Sequence, residues 1–278
     1  MMKKLFILLL LPLLLLSACD KPTGGTEPTM TVVFADVGKA DFILIKCDGK
    51  FGVIDAGYKS SKDKIDSVMK KYGVESIEFA VATHNDKDHI GSMSHVIEKY
   101  GVKTLYICPL KSDEKLYKNM LESAAIKGTS VVTSRQGMEF SLGNASFTVL
   151  EPDDGLVALG TENDSSIVLR MEYGSKSVLF MGDAQIKTET AMMKKYSADL
   201  SCDVIKIGHH GSAKASSQLF LSKTGAKYAV ITTGSEESAA DVTLKAIDAC
   251  KMKLYNTETD GDVIMLTDGQ AVTFQKEK

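Results

Sequence analysis

Between Thr83 and Ser92 the sequence reads THNDKDHIGS, placing His84, Asp86, Asp88 and His89 within six residues. The chain has five histidines among its 278 residues, and two more, His209 and His210, stand side by side in GHHGS. Imidazole suits zinc, and carboxylates extend the range to harder ions such as manganese. On a tight loop, alternation lets His84 and Asp86 face one point while Asp88 and His89 face a second. A lone His–Asp pair is more often a capped turn or a surface ion pair. Four such groups directly after the apolar run IEFAVAT form a metal-binding pattern. The segment LFMGDA adds Asp183 after another apolar run. Alone it reads as a helix cap, but a two-metal site needs a carboxylate to bridge. Of the adjacent pair, His209 is favoured as a metal ligand and His210 as the group that orients or contacts substrate. His95, the fifth histidine, is read as a packing or surface residue.

The elements that must position these groups alternate along the chain. MTVVFADV, FILIKC and FGVIDAG read as strands, with a turn at Asp48-Gly49. Apolar spacing predicts a helix from Ser61 to Tyr72, ended by Gly73. IEFAVAT is the near-continuous apolar run of a strand covered on both faces. Helices are expected over 94–100 and, capped by Ser112, to Lys127, with the strands KTLYIC and SVVT beside them. Hairpins follow around Gly143-Asn144 and Gly174. Then come a helix over 187–196, the strand DVIKIG, a helix near Ser216, the strand KYAVITT, a helix over 242–249, the strand KLYN and a closing hairpin. Two mixed sheets packed together with helices outside is the architecture implied, and both histidine loops follow apolar strands, where such folds place chemistry.

Residues 1–18 read as a secretory leader: a basic start, an apolar run from Leu5 to Leu16, and Ser17-Ala18 before Cys19. LSAC resembles a bacterial lipobox, which implies cleavage before Cys19 and a lipid on that cysteine. Residues 19–29, rich in Pro, Gly and Thr, read as a flexible tether, and residues 30–278 as one domain. The chain would then be exported and lipid-anchored at the outer face of the bacterial cytoplasmic membrane or cell envelope. Loss of Lys3 and Lys4 with the leader shifts the formal charge from −3 to −5. That is not the footprint of a strong nucleic-acid binder. After the leader there is no apolar run of about 20 residues, so a membrane channel is set aside. Cys47, Cys108, Cys202 and Cys250 form no C-x-x-C pair, which argues against a zinc ribbon and for buried free thiols.

His84-Asn85-Asp86-Lys87-Asp88-His89 resembles the H-x-[HD]-x-D-H signature of the metallo-β-lactamase superfamily in its Asp-substituted form. More closely, the chain resembles the extracytoplasmic domain of the ComEC competence family and its stand-alone relatives. The segments that carry this are Val37–Asp41, Ile54–Gly57, the Asn163–Ser166 strand pair leading to Gly182-Asp183, IKIGHHGS, and TETDGDVIMLTDG. The resemblance implies a four-layer αββα sandwich with one or two divalent ions at one edge, zinc favoured and manganese possible. His84 and Asp86 would serve one metal, Asp88 and His89 the other, with Asp183 bridging and His209 or His210 completing the second. Two departures stand out: Asn163 or Asp164 where classical members carry a histidine, and no histidine or proline in TTGSEESAADVTLKA.

The expected activity is an extracytoplasmic metal-dependent hydrolase, with a phosphodiester, nucleic acid or a related surface phosphate ester, as the substrate class the family suggests. Divalent ions would lower the pKa of a bound water toward ~7 and hold hydroxide for attack, with Asp88 orienting it. Lys39, Lys87 and Lys214 beside the site motifs favour a polyanion. The alternatives are an amide or ester hydrolase of the β-lactamase kind and a non-catalytic metal-containing binding lipoprotein.

Overall fold

The computed structural model describes residues 30–196 and 200–278. The expected leader, lipidated cysteine and tether lie outside the described residues. The first sheet is built from β1 (Met30–Phe34), β2 (Ile43–Cys47), β3 (Lys50–Ile54), β4 (Ile77–Ala82), β5 (Val102–Ile107) and β6 (Ser130–Thr133). The second holds β7 (Glu139–Leu142), β8 (Ala145–Glu151), β9 (Val168–Tyr173), β10 (Lys176–Phe180), β11 (Val204–Lys206), β12 (Tyr228–Ile231) and β13 (Lys253–Asn256). The chain then returns to the first sheet with β14 (Val263–Thr267) and β15 (Val272–Lys276). The orders are β15-β14-β1-β2-β3-β4-β5-β6 and β13-β12-β11-β10-β9-β8-β7. Each sheet is antiparallel in one half and parallel in the other: β3 to β6, and β10 to β13, run parallel.

Strand alternation sorts the apolar side chains into layers. Phe34, Ile43, Ile45, Phe79 and Val81 of the first sheet meet Phe147, Leu169, Met171, Val178 and Phe180 of the second. Their neighbours Val33, Leu44, Val53, Ala80 and Ala82 point the other way, onto Ile65, Met69, Val96, Ile97 and Met120 of the outer helices. On the far side Leu179, Ile205, Ala229 and Ile231 pack beneath Met192, Phe220, Leu221 and Ile247. Three apolar seams therefore separate four layers, the αββα sandwich that the sequence implies. Each fully buried phenylalanine in the central seam contributes on the order of 2–3 kcal/mol of transfer free energy.

The helices over Lys62–Tyr72, Met93–Tyr100, Lys115–Lys127, Ile186–Tyr196, Gln218–Thr224 and Asp241–Ala249 supply the outer layers. Ser112 does not cap the third of these. The N-cap is Glu114, whose backbone N–H donates to Ser112 Oγ, so the serine shapes the approach to the helix instead. Cys47, Cys108 and Cys202 are buried free thiols, and Cys250 is a partly exposed one. Among the described residues no helix is long and apolar enough to cross a membrane.

Candidate metal centre

Parallel strands of both sheets end at one edge of the sandwich, and their C-terminal ends carry the chemistry. β3 delivers Asp55, β4 delivers Thr83 and His84, β10 delivers Gly182 and Asp183, and the turn after β11 delivers His209 and His210. Gly182 makes the turn into Asp183 with φ +52°, and a Cβ there would sit 3.2 Å from the side chains of Thr83 and Ser166. Asp55, His209 and His210 adopt left-handed backbone with φ of 58°, 46° and 51°. Such conformations cost about 1–3 kcal/mol each for non-glycine residues and concentrate where function over-determines them.

The neighbours of each ring fix its tautomer. Thr83 Oγ1 gives its hydrogen to Asp55 Oδ2 at 2.6 Å, so towards His84 Nδ1, 3.1 Å away, it can only accept. His89 Nδ1 donates to Asp55 Oδ2 at 2.7 Å, and His210 Nδ1 donates to the Thr232 carbonyl at 2.9 Å. All three rings thus turn an Nε2 lone pair inward. His89 Nε2 and His210 Nε2 stand 3.2 Å apart, and Asp183 Oδ1 is 3.3 Å from the first and 3.5 Å from the second. Asp88 Oδ2 lies 3.5 Å from His210 Nε2. One donor atom from each of Asp88, His89, Asp183 and His210 falls within 4.8 Å of the others. On the other side of the Asp183 carboxylate, His84 Nε2 is 3.8 Å from Asp183 Oδ2 and 3.5 Å from Asp86 Oδ2.

His84 Nε2 and Asp183 Oδ1 are buried and make no hydrogen bond. Buried acceptors turned on one another are unfavourable unless a cation lies among them. The donor set therefore fits divalent ions: a four-residue set around Asp183 Oδ1 and a sparser His84–Asp86 set beside Asp183 Oδ2. The Asp86 carboxylate is not spent on the turn that follows it, since the short helix Lys87–Ile90 has no side-chain cap.

The charges agree with this. Burial alone would raise the Asp183 carboxyl, but the imidazoles of His210, His89 and His84 outweigh it and hold it well below the usual carboxylate range. Burial opposes a charge on His89, yet Asp183 and Asp55 hold it well above an ordinary imidazole. The His84 imidazole depresses Asp86, while Glu162, hydrogen-bonded to Asp86, is pushed up to about 7.

The two adjacent histidines fall on opposite flanks of Asp183, and the one that joins the donor cluster differs from the one expected. His210, not His209, joins Asp88, His89 and Asp183. His209 lies on the other flank, its Nε2 3.7 Å from Asp183 Oδ2. Gln185 presents its amide nitrogen to His209 Nδ1 at 3.1 Å, so that nitrogen accepts and Nε2 carries the hydrogen, opposite to the three ligand-type rings. Burial lowers the His209 pKa, which keeps the ring neutral. The left-handed pair of residues throws consecutive side chains to opposite flanks of Asp183. Asn163 stands with its amide 3.4 Å from the His209 ring rather than as a ligand. His95 lies away from the site, paired with Asp66 at 2.9 Å.

Sequence reasoning did not single out Asp55, Thr83, Glu162, Asp41 or Lys206 as site residues. Lys206 carried a signal: a lysine inside the apolar strand run DVIKIG is out of place unless paired. A cleft of about 400 Å³ lined by Asp86, Lys87, Asp88, Glu114 and Glu162 opens beside the centre. A larger one of about 780 Å³ near Arg135 and Asp153 has no such donor set.

Comparison with known proteins agrees with this geometry. The family model of the metallo-beta-lactamase superfamily matches residues 35–234. ComE operon protein 3 of Bacillus subtilis is 30% identical over 162 residues, covering 58% of this chain and 20% of that protein. Competence protein ComA of Neisseria gonorrhoeae is 24% identical over 247 residues, 87% of this chain and 33% of that protein. The chain thus spans only a fifth to a third of these relatives. Among solved structures, the metallo-beta-lactamase fold protein YhfI of Bacillus subtilis superposes with a TM-score of 0.58 at 13% identity, covering 86% of this chain and 99% of that one. A diphosphatase of the PhnP family gives 0.51 at 14% identity, covering 86% and 98%. The chain therefore belongs to the metallo-β-lactamase superfamily and carries its metallo-hydrolase fold.

Proposed function

We propose that the chain is a metal-dependent phosphodiester hydrolase that works outside the cytoplasm, held to the envelope by a lipid on Cys19. One observation carries the hydrolase reading: three Nε2 lone pairs, from His84, His89 and His210, converge with an unpaired buried oxygen of Asp183. Asp88, His89, Asp183 and His210 would hold one divalent ion, and His84, Asp86 and Asp183 a second. When bound, such ions lower the pKa of water and polarise a phosphoryl oxygen.

The chain's own residues supply the rest. Asp88, with 18% of its side chain exposed, is the donor of its set that faces solvent and can orient an incoming water. His209, neutral and with its Nε2 hydrogen directed towards the centre, can donate a hydrogen bond to a substrate oxygen as charge develops. Lys87 and Lys214 are exposed near the loops, and Lys39 is held at the rim by Glu237 at 2.6 Å. These cations favour an anionic substrate. The relatives named for competence and the fold neighbour named as a diphosphatase support a phosphate ester over an amide.

The test uses soluble protein beginning at Asp20, with the His84→Ala variant beside it. Zinc or manganese is supplied, and cleavage of labelled DNA and of a generic phosphodiester is followed. Metal-dependent cleavage that is lost in the variant is expected. Stoichiometric metal with no cleavage of either probe would refute the phosphodiesterase reading.

A further inference from the structure

Behind the imidazoles lies an ion pair shut off from solvent. Lys206, at the end of β11, is 0% exposed, and Asp41, in the turn between β1 and β2, is 1% exposed. Lys206 Nζ stands 2.5 Å from Asp41 Oδ2. Thr232 Oγ1 donates to Asp41 Oδ1 at 2.5 Å. The pinned carboxylate then lies 3.8 Å from His89 Nδ1 and 3.7 Å from His210 Nδ1.

Stability is a poor reason for such a pair. Desolvating two charges costs about as much as their attraction returns, and apolar residues of similar volume often do as well or better. Away from this rim the seam between the sheets is filled by apolar side chains. What the pair does have is a link to every member of the four-donor set. The Asp41 backbone N–H donates to the Asp88 carbonyl at 3.1 Å. The carboxylate neighbours His89. Thr232, which holds Asp41 through its hydroxyl, holds His210 through its carbonyl. Lys206 Nζ reaches the carbonyl of Gly182, the residue before Asp183, at 3.4 Å. The links also join the two sheets, since Asp41 belongs to the first and Lys206, Thr232 and Gly182 to the second.

We propose that Lys206 and Asp41 are positioning residues that register the two sheet edges so that Asp88, His89, Asp183 and His210 form one ion-binding set. This rests on the metal-centre reading above. Neither residue touches the ion or the substrate; each acts through the ligands it holds.

The experiment compares metal-stripped wild type with Lys206→Met, Asp41→Asn and the double variant. It reads melting temperature, zinc affinity by chelator competition, and the visible spectrum after loading with cobalt. Each single change leaves a buried partner uncompensated, so each is expected to lower the melting temperature. The double change removes both charges and is expected to recover most of that loss. Its affinity for one of the two ions should nevertheless stay about 10–100-fold weaker, as for other residues that orient metal ligands. Its cobalt spectrum should differ from wild type. A double variant that regains both stability and wild-type affinity would show a packing role only and overturn the proposal. Should the double variant not fold, Thr232→Val removes the hydroxyl that holds Asp41, which also stands 3.3 Å from His210 Nδ1, and keeps the carbonyl that accepts from that ring. Weaker ion affinity at unchanged melting temperature then supports the proposal, and unchanged affinity overturns it. Wild type that binds no divalent ion would instead refute the metal centre itself.

Discussion

At the scale of single residues, the centre turns on which ring nitrogen is free. Asp55, the Thr83 hydroxyl and the Thr232 carbonyl each occupy an Nδ1, and that leaves three Nε2 atoms for an ion. Among the described residues Asp183 is the one carboxylate placed to serve both flanks. Asp183→Asn should therefore fold but lose ion binding and hydrolysis together. At a free zinc concentration about 100-fold above Kd, the wild type should gain about 2.7 kcal/mol from mass action, and the variant little of it. Thermal melting with and without zinc makes the comparison. Full activity in the variant would sink the two-metal account. The spacing of His84, Asp86, Asp88 and His89 made this part legible in the sequence. The division of labour between His209 and His210 was not legible, because it depends on two successive left-handed residues that no propensity favours. Asp41 and Asp55 stand in segments that carry the family resemblance, but their roles were not legible, for another reason. Their partners lie far along the chain, 191 residues away for Thr232 and 34 for His89.

At the scale of elements, strand ends and short turns aim the ligands, and helix pairs steady them from outside. The helices Lys62–Tyr72 and Met93–Tyr100 are clamped by Asp66, which accepts from His95 at 2.9 Å, Lys99 at 2.7 Å and Tyr100 at 2.7 Å. Burial is the largest single influence and raises the Asp66 pKa, but the three donors together outweigh it and bring it to about 2. A carboxylate lowered from 3.8 contributes stability above pH ~4 and loses it as pH falls through ~2. Asp66→Asn should cost about 1–2 kcal/mol at neutral pH, and the gap from wild type should close between pH ~4 and ~2. Denaturant unfolding across that range is the measurement; a gap independent of pH would contradict it. Apolar periodicity located the strands and the long helices, because tertiary burial and local pattern agree there. It missed the helices Lys87–Ile90, Asp154–Ala158 and Thr257–Asp260, which are too short to show a 3.6-residue period.

At the scale of the molecule, the sandwich packs two half-parallel sheets face to face, so that strand ends from both meet at one rim. Neither sheet alone holds a complete ligand set: His84, Asp88 and His89 follow β4, while Asp183 follows β10 and His210 follows β11. This explains why the order of motifs along the chain revealed the architecture, whereas the contacts between sheets did not emerge until the fold was in view. The central claim is that ions sit where the two sheets meet, and diffraction from crystals loaded with zinc or manganese tests it most directly. Anomalous density should appear among Asp88, His89, Asp183 and His210, with a second, weaker peak beside His84 and Asp86. Loaded crystals with no anomalous density between the His89 and His210 rings would contradict the account.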